Sequence, residues 1–282
     1  MNNIKTMVLL VALTLILIWA GGAIGGKQGM TIALIFALTM NFVTYWFSDK
    51  IVLAMYRAQE IDPNEASELY NMVKQLSQKA NLPIPRVYIV PIDVPNAFAT
   101  GRNPKHAVVA VTMGMLNSLP MSEIEGVLGH ELAHIKNRDT LLSTVSATMA
   151  GAITMLASMA RWSAIFGGFR GGDDDDGGGV FGLIFLAILA PIAALLLQLA
   201  ISRSREYKAD RDGAIISGKP IALADALRKM DAIAHRRPLA IGSPSVSNMF
   251  IVNPFKGSGI SAILSTHPPI EKRIARLEQM AR

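Results

Sequence analysis

The chain has 282 residues, of which 51% are hydrophobic and only 17% are charged. Soluble domains carry about a quarter charged residues, so this composition excludes a disordered or collagen-like chain and argues against an ordinary soluble protein. The absence of cysteine excludes disulfides, thiolate metal ligands and a cysteine nucleophile. The formal charge of +6 fits the positive-inside bias of membrane proteins better than nucleic-acid binding, so we predict no nucleic-acid partner.

Four apolar stretches without a charged residue occur at positions 7–24, 30–47, 141–160 and 180–201. At about 1.5 Å per residue, each can cross a hydrocarbon core roughly 30 Å thick. The first two predict a transmembrane hairpin at residues 1–47, with a cleavable signal peptide as the alternative for the first. The third stretch contains several hydroxyl side chains, which suit packed membrane helices, and a buried helix of a soluble domain is its alternative.

Lys and Arg residues are distributed unevenly about these stretches. Nine flank one side and three the other, which predicts that both termini and the large polar segments face the cytoplasm. The loop at 161–179 is then external, and its four aspartates lack the spacing of a calcium loop, so we interpret them as part of a solvated linker. The predicted organisation is a hairpin at 1–47, a cytoplasmic domain at 48–140, a second transmembrane hairpin at 141–201 and a cytoplasmic segment at 202–282.

The first polar segment combines helical and strand patterns. In chain order, the patterns predict a helix at 63–80, strands at 86–90, 96–100 and 106–112, and a helix from 122 to about 137. Ser122 and Glu125 have the spacing of a capping box and are expected to start the last helix.

The predicted helix at 122–137 contains the sequence His-Glu-Leu-Ala-His. Side chains four residues apart share a helix face, so His130 and His134 can bind one metal ion. Glu131 lies one position round the helix, where it can act as general base on a water held by that metal. A chance match would occur in roughly one chain in a hundred, and its place in mid-helix makes a metalloprotease site the better interpretation.

Two histidines do not complete a catalytic zinc site, which normally has three protein ligands and a water. Glu206, 72 residues after His134, is the best candidate for the third ligand, because the intervening hairpin returns the chain to the same membrane face. Asp210 lies one turn further on the same side and is expected to accept a hydrogen bond from a ligand histidine. Taken alone, Glu206, Lys208 and Asp210 would more often form a solvated, charged helix face.

These residues resemble the HtpX-type membrane zinc metalloproteases, which are relatives of the CAAX prenyl-protein endopeptidases. The resemblance covers essentially the whole chain: the N-terminal hairpin, Asn96-Ala97-Phe98, residues 130–134 continuing into Asn137-Arg138-Asp139, residues 206–210 and Ser265-Thr266-His267-Pro268-Pro269. It implies one Zn²⁺ per chain, with Glu131 as general base and with three ligands, His130, His134 and Glu206. It also implies that His267 lies near the oxyanion and that bound substrate lies alongside Asn96, Ala97 and Phe98.

The residues themselves support these last two roles less directly. His267 precedes two prolines and a predicted terminal helix, so a rigid corner holds an imidazole that could stabilise a tetrahedral intermediate. A purely structural histidine is the alternative. Asn96 begins a short strand that could pair with an extended peptide, and an ordinary turn asparagine is the alternative.

The expected fold class is mainly α: four transmembrane helices plus a zincin-like α+β cytoplasmic domain with a small sheet. The resemblance implies a multi-pass enzyme of the bacterial cytoplasmic (inner) membrane that hydrolyses misfolded or damaged membrane proteins in quality control and the stress response. Its partners would be polypeptides and the lipid bilayer.

Two other functions fit parts of the pattern. A membrane-anchored chaperone or binding protein with structural zinc would need four protein ligands. An intramembrane protease conflicts with the charged residues around the motif, because charges are costly in hydrocarbon.

Overall fold

The computed structural model describes residues 2–63, 67–146, 148–149, 203–236, 251 and 268–281. The helices are α1 (Asn2–Met55), α2 (Glu68–Lys79), α3 (Met113–Ser118), α4 (Met121–Asn137), α5 (Arg203–Ser217), α6 (Pro220–Arg236) and α7 (Ile270–Met280). The strands are β1 (Gln59–Glu60), β2 (Arg86–Val90), β3 (Ala97–Thr100) and β4 (Val108–Thr112).

Helix α1 folds back on itself. Gly26 has a φ of +55°, a conformation that glycine adopts without steric cost. The side-chain amide of Asn41 donates a hydrogen bond of 2.8 Å to the hydroxyl of Thr14. In one straight helix these two residues would lie about 40 Å apart, so α1 consists of two antiparallel arms, as the hairpin prediction requires.

Only part of the predicted membrane topology falls on described residues. Among these, one helix, Gly26–Met55, is long and apolar enough to cross a membrane, and the first arm holds a shorter apolar helix, Thr6–Trp19. Most of the stretch 141–160 and all of 180–201 lie outside the described residues, as does the loop at 161–179. The mainly helical fold is confirmed, whereas the number of four spans stays a prediction.

The small sheet has the strand order β1-β2-β4-β3, with β2 and β4 parallel and the other pairs antiparallel. Strand β3 is therefore an edge strand, the position that pairing with an extended peptide requires. The third strand begins at Val108 rather than at residue 106, because a 3₁₀ turn at Pro104–His106 precedes it. The two-residue strand β1 was not predicted.

Both faces of the sheet are covered, which explains the uninterrupted apolar sequence of β4. Val87, Val109 and Val111 belong to the core shared with the helices after β1. Tyr88 and Val108, which alternate with them, pack against Val52 and other residues at the end of α1. Successive strand residues face opposite sides, so a strand that is buried on both faces needs apolar residues throughout.

The predicted capping box at the start of α4 is wrong. The helix begins at Met121, and Pro120 occupies the N-cap position without a side-chain hydrogen bond. Ser122 therefore lies inside the first turn, where its hydroxyl cannot cap, and Glu125 forms an ion pair with Lys219. Proline supplies the alternative start signal, because its fixed φ suits the edge of a helix.

Candidate metal centre

Three potential metal ligands, His130, His134 and Glu206, converge where helix α5 packs against helix α4. The Nε2 atoms of His130 and His134 lie 3.2 Å apart. The carboxylate oxygens of Glu206 lie 3.8 Å from the first and 3.6 Å from the second. Tetrahedral zinc with bonds of 2.0–2.1 Å separates its ligand atoms by about 3.4 Å. The donor set and its spacing therefore fit a zinc ion, and the structure brings together the three residues that the sequence predicted.

Close packing of two helices produces this convergence. Helix α5 crosses α4 at glycines: a Cβ on Gly213 would lie 2.6 Å from the Cα of His130, and a Cβ on Gly129 would lie 2.6 Å from the Gly213 carbonyl oxygen. Glu206 lies two turns before Gly213 on the same face of α5. The absence of side chains at the crossing lets the carboxylate reach the imidazoles of α4.

Each imidazole also has a carboxylate beside its other nitrogen. Asp210 Oδ1 lies 3.0 Å from Nδ1 of His130, where Asp210 was predicted to be. Asp139 Oδ2 lies 3.2 Å from Nδ1 of His134. A carboxylate in this position favours a proton on Nδ1 and leaves Nε2 free to bind a metal. The role of Asp139 was not predicted from the sequence, although its place directly after the helix that carries the two histidines was a possible signal.

Arg273 is the second residue of the site that was not predicted from the sequence. It is fully buried, and its guanidinium forms a two-point contact with the Asp210 carboxylate at 2.7 and 2.8 Å. It also lies 3.7 Å from Glu206 and donates to the carbonyl oxygen of Ile251 at 3.3 Å. Arg273 thus links the third ligand, the partner of the first ligand and the main chain at Ile251.

One sequence signal for Arg273 exists in retrospect. In α7 it stands on the apolar stripe formed by Ile270, Ile274 and Leu277, where a fourth apolar residue would be expected. A charged residue at a core position requires a buried partner. Burial by itself raises the pKa of that partner, Asp210, but the Arg273 guanidinium outweighs burial and holds the pKa at about 2.

Glu131 lies beside the three potential ligands but is not one of the converging donors. It is only 4% exposed, and its carboxylate accepts a hydrogen bond from the backbone N–H of Ala99 in β3. Burial raises the pKa of Glu131 above its ordinary value, while the imidazoles of His130 and His134 oppose that rise. A carboxyl group with a raised pKa at a polar centre is suited to accept and return a proton.

Competing effects also shift the pKa of His134. Burial lowers it, but the hydrogen bond to Asp139 and the negative charges of Glu206 and Glu131 outweigh burial and raise the pKa to about 9. This concentration of negative charge attracts a cation, whether a proton or a metal ion.

The edge strand β3 borders the same centre. The backbone N–H of Thr112 bonds to the carbonyl of Asn96, so by the alternation of an antiparallel pair Ala97 and Ala99 turn their backbone polar groups to the outer edge. The Ala99–Glu131 hydrogen bond agrees with this direction. The outer edge of β3 therefore faces the metal centre.

The other residues predicted to contact substrate have different surroundings. The side-chain oxygen of Asn96, which is 2% exposed, accepts a hydrogen bond from the backbone N–H of Ile251. Phe98 packs on the opposite face of the sheet, 5.4 Å from the ring of Tyr56. His267 lies outside the described residues. The roles of Asn96, Phe98 and His267 stay predictions.

Comparison with known proteins agrees with this site. The model of peptidase family M48 matches residues 63–281, which contain the whole metal centre. The chain belongs to peptidase family M48. A relative named "Protease HtpX homolog" in Desulforapulum autotrophicum is 59% identical over 98% of this chain and 89% of its own length. Proteins of the same name from Syntrophobacter fumaroxidans and Thermococcus kodakarensis are each 56% identical over 99% of this chain, and over 99% and 96% of their own lengths.

A solved structure has a similar fold. The crystal structure of S. mikatae Ste24p aligns with a TM-score of 0.54 at 17% identity, over 98% of this chain and 66% of that protein. Family, relatives and site together confirm the prediction of a membrane metalloprotease. They give no support to the alternative of a chaperone with a structural metal.

Proposed function

We propose that this chain is a zinc endopeptidase that binds one Zn²⁺ and cleaves misfolded or damaged membrane proteins at the cytoplasmic face of the membrane. The observation that carries the proposal is the convergence of two imidazoles and a carboxylate, with Glu131 between them and the edge strand β3. His130, His134 and Glu206 are the ligands in this proposal. Three protein donors converge among the described residues, and a fourth position left open for water or substrate is typical of catalytic rather than structural zinc.

A zinc ion held by His130, His134 and Glu206 would act as a Lewis acid that polarises the scissile carbonyl and lowers the pKa of a water to about 7. Glu131 takes the proton from the attacking water and returns it to the leaving amide nitrogen. Its burial between the imidazoles and Ala99 keeps the carboxylate in one position. Asp210 and Asp139 orient the two imidazoles, and Arg273 keeps Asp210 ionised. His267 is proposed to stabilise the charge on the tetrahedral intermediate.

An extended polypeptide is the substrate that fits the edge of β3. The outward N–H and C=O groups of Ala97 and Ala99 can pair with a peptide main chain, which places a scissile carbonyl beside Glu131. Main-chain pairing does not depend on the side chains of the substrate, so it suits an enzyme that acts on many unfolded segments. Substrate binding requires that the Ala99 N–H be released from Glu131, and a peptide carbonyl is the group that replaces the carboxylate there.

The decisive experiment compares wild type with Glu131→Gln after purification in detergent and removal of metal. Glu125→Gln is the matched control, because Glu125 belongs to the same helix but pairs with Lys219. We expect added zinc to restore cleavage of casein and of an unfolded membrane protein in wild type and in Glu125→Gln. Glu131→Gln should bind zinc equally and cleave neither substrate. Equal zinc binding without cleavage by any variant would overturn the proposal.

The proposed orientation is testable because the chain has no cysteine. Lys136→Cys places a single thiol at an exposed position one residue before the end of α4. Asp174→Cys places one in the loop proposed to be external. We expect a membrane-impermeant thiol reagent applied to intact cells to label only Asp174→Cys, and inverted vesicles to show the reverse.

A further inference from the structure

A cavity of about 620 Å³ lies on the far side of the sheet from the metal centre, between the second arm of α1 and the loop before β4. Its volume is in the range of small-molecule sites. One wall carries three aromatic residues of α1, Phe42, Trp46 and Phe47, all of them at least 41% exposed. The opposite wall carries Arg102 and Lys105 from the loop.

The cavity has a strong excess of positive charge. Four Lys and Arg side chains line it against one carboxylate, Asp49, which is already paired with Arg86 at 3.3 Å. The cations of Lys50, Arg102 and Lys105 have no carboxylate partner among the described residues. Three unneutralised cations beside one concave surface attract an anion.

Two of these cations are held against the aromatic wall. The guanidinium carbon of Arg102 lies 4.5 Å from the ring centre of Trp46. The ammonium of Lys50 lies 5.5 Å from the ring centre of Phe47. Cation–π contacts of this kind hold the positive groups at the boundary between an aromatic surface and a polar loop. An anion bound there has an apolar surface on one side and water on the other.

The aromatic wall continues directly into the exposed apolar surface of the second arm. Ile32, Ile35 and Leu38 precede Phe42 along this arm, and all are exposed. Aromatic residues at the end of an apolar helix mark the headgroup level of a membrane, and Lys and Arg at that level bind anionic headgroups. The surface thus changes from aliphatic to aromatic to cationic within a few helical turns. A phospholipid presents complementary parts in the same order, from its acyl chains through the interfacial region to its anionic headgroup.

We propose that this cavity, hereafter the Trp46 cavity, binds a phospholipid with an anionic headgroup. The lipid phosphate contacts Arg102 and Lys105, and the acyl chains lie along Phe42 and the arm above it. The loop before β4 is continuous with the edge strand β3 through Gly101, whose carbonyl accepts a hydrogen bond from Thr140. Lipid binding in the Trp46 cavity therefore anchors the end of the substrate-pairing strand to the membrane surface.

Tryptophan fluorescence gives a local test, because the chain has only three tryptophans. Substitution of Trp19 and Trp162 by phenylalanine leaves Trp46 as the sole emitter. This protein is placed in lipid nanodiscs that contain phosphatidylcholine and phosphatidylglycerol. In each preparation, the acyl chains of one of these two lipids are brominated, because bromine quenches tryptophan fluorescence on contact. We expect brominated phosphatidylglycerol to quench Trp46 more strongly than brominated phosphatidylcholine at equal mole fraction.

The double variant Arg102→Gln, Lys105→Gln in the same background should remove this preference, lowering the local enrichment of the anionic lipid roughly 30-fold. Lys74→Gln with Lys272→Gln removes the same charge at exposed positions outside the cavity and should leave the preference intact. Casein cleavage in detergent should be unchanged in both double variants, which shows that they are folded.

Either of two results overturns the proposal. Equal quenching by the two brominated lipids in the Trp46-only protein would mean that no anionic lipid is selected. Loss of the preference on addition of excess inorganic phosphate would mean that the cavity is a site for a free anion rather than for a lipid.

Discussion

In the arms of α1, the buried positions include hydroxyl groups, whereas the large apolar side chains face outward. Thr44 and Ser48 are buried, and Asn41 joins the arms through Thr14, while most of the exposed large apolar residues of the described chain lie in this helix. In the metal-site domain (residues 67–146, 203–236 and 268–281) the distribution of side chains is the usual one, with most aliphatic residues buried and most charged residues exposed.

We interpret this difference as a difference in the solvent that each region meets. Lipid is as apolar as leucine, so helices in a membrane gain nothing by burying aliphatic residues against each other, and they associate through small and polar side chains. The metal-site domain folds by removing apolar surface from water. The few ionisable groups that it buries, apart from Glu123, gather at the metal centre. Burial of charge is costly, so such a cluster marks a functional site.

The largest expected effect is on the cluster of buried charges. Glu206→Gln replaces the third ligand with a neutral amide, so we expect zinc to be lost during dialysis and cleavage of casein to fall below detection. Zinc content by atomic absorption and a cleavage assay measure the two effects. Glu271→Gln, at an exposed position of α7, is the matched control and should retain both. Retention of zinc and activity by Glu206→Gln would show that another residue provides the third ligand.

A smaller effect, on zinc affinity, is expected from substitution of Asp139, the carboxylate beside the imidazole of His134. Asp139→Asn removes the negative charge beside Nδ1 of His134, and loss of such a partner typically lowers metal affinity by roughly 10- to 100-fold. Competition with a fluorescent zinc chelator measures the affinity. Asp225→Asn removes an exposed carboxylate from α6 and should bind zinc as wild type does. Equal affinities in the two variants would mean that the Asp139 contact is incidental.

The helix crossing beneath the site gives a prediction with an unusual sign. A glycine-to-alanine change inside a helix ordinarily stabilises by roughly 0.5–1 kcal/mol. At Gly213 the added Cβ would lie 2.6 Å from the Cα of His130, so the helices must separate, and we expect Gly213→Ala to destabilise the protein by roughly 1–3 kcal/mol. Thermal unfolding of the zinc-bound protein in detergent measures the change. A melting temperature at or above that of wild type would contradict the packing described for α4 and α5.

The smallest effect is expected in α1. The hydrogen bond between Asn41 and Thr14 should contribute about 0.6 kcal/mol, the average for such bonds between membrane helices. A double-mutant cycle with Asn41→Leu and Thr14→Val, followed by unfolding in mixed micelles, isolates this coupling. Thr39→Val is the control, because within the described part of the chain the Thr39 hydroxyl bonds to the carbonyl of Ile35 on its own arm. A coupling energy of zero would indicate that the arms are not paired in this way.

Local patterns were sufficient to predict most elements and two of the ligands. The spacing of His130 and His134 is fixed by helix geometry alone, so it is readable wherever the helix is recognised. The strands β2 and β4 were predictable from their β-branched sequences, and the short strand β3 from the turns that bound it. The start of α4 was not, because a capping-box pattern and a preceding proline compete and only the packed structure selects one.

The sequence by itself determined the apolar arms, the metal-binding helix and Glu206 as a candidate ligand, the last from its place after the second predicted hairpin and from family resemblance. Only the tertiary structure decided that α5 lies close enough to α4 for Glu206 to reach the imidazoles, through the contact of Gly213 with His130. It likewise decided that Arg273 is buried against Asp210, 63 residues away in the chain. Periodicity describes one helix at a time, whereas the free energy of a buried charge depends on which partner a distant segment brings to it.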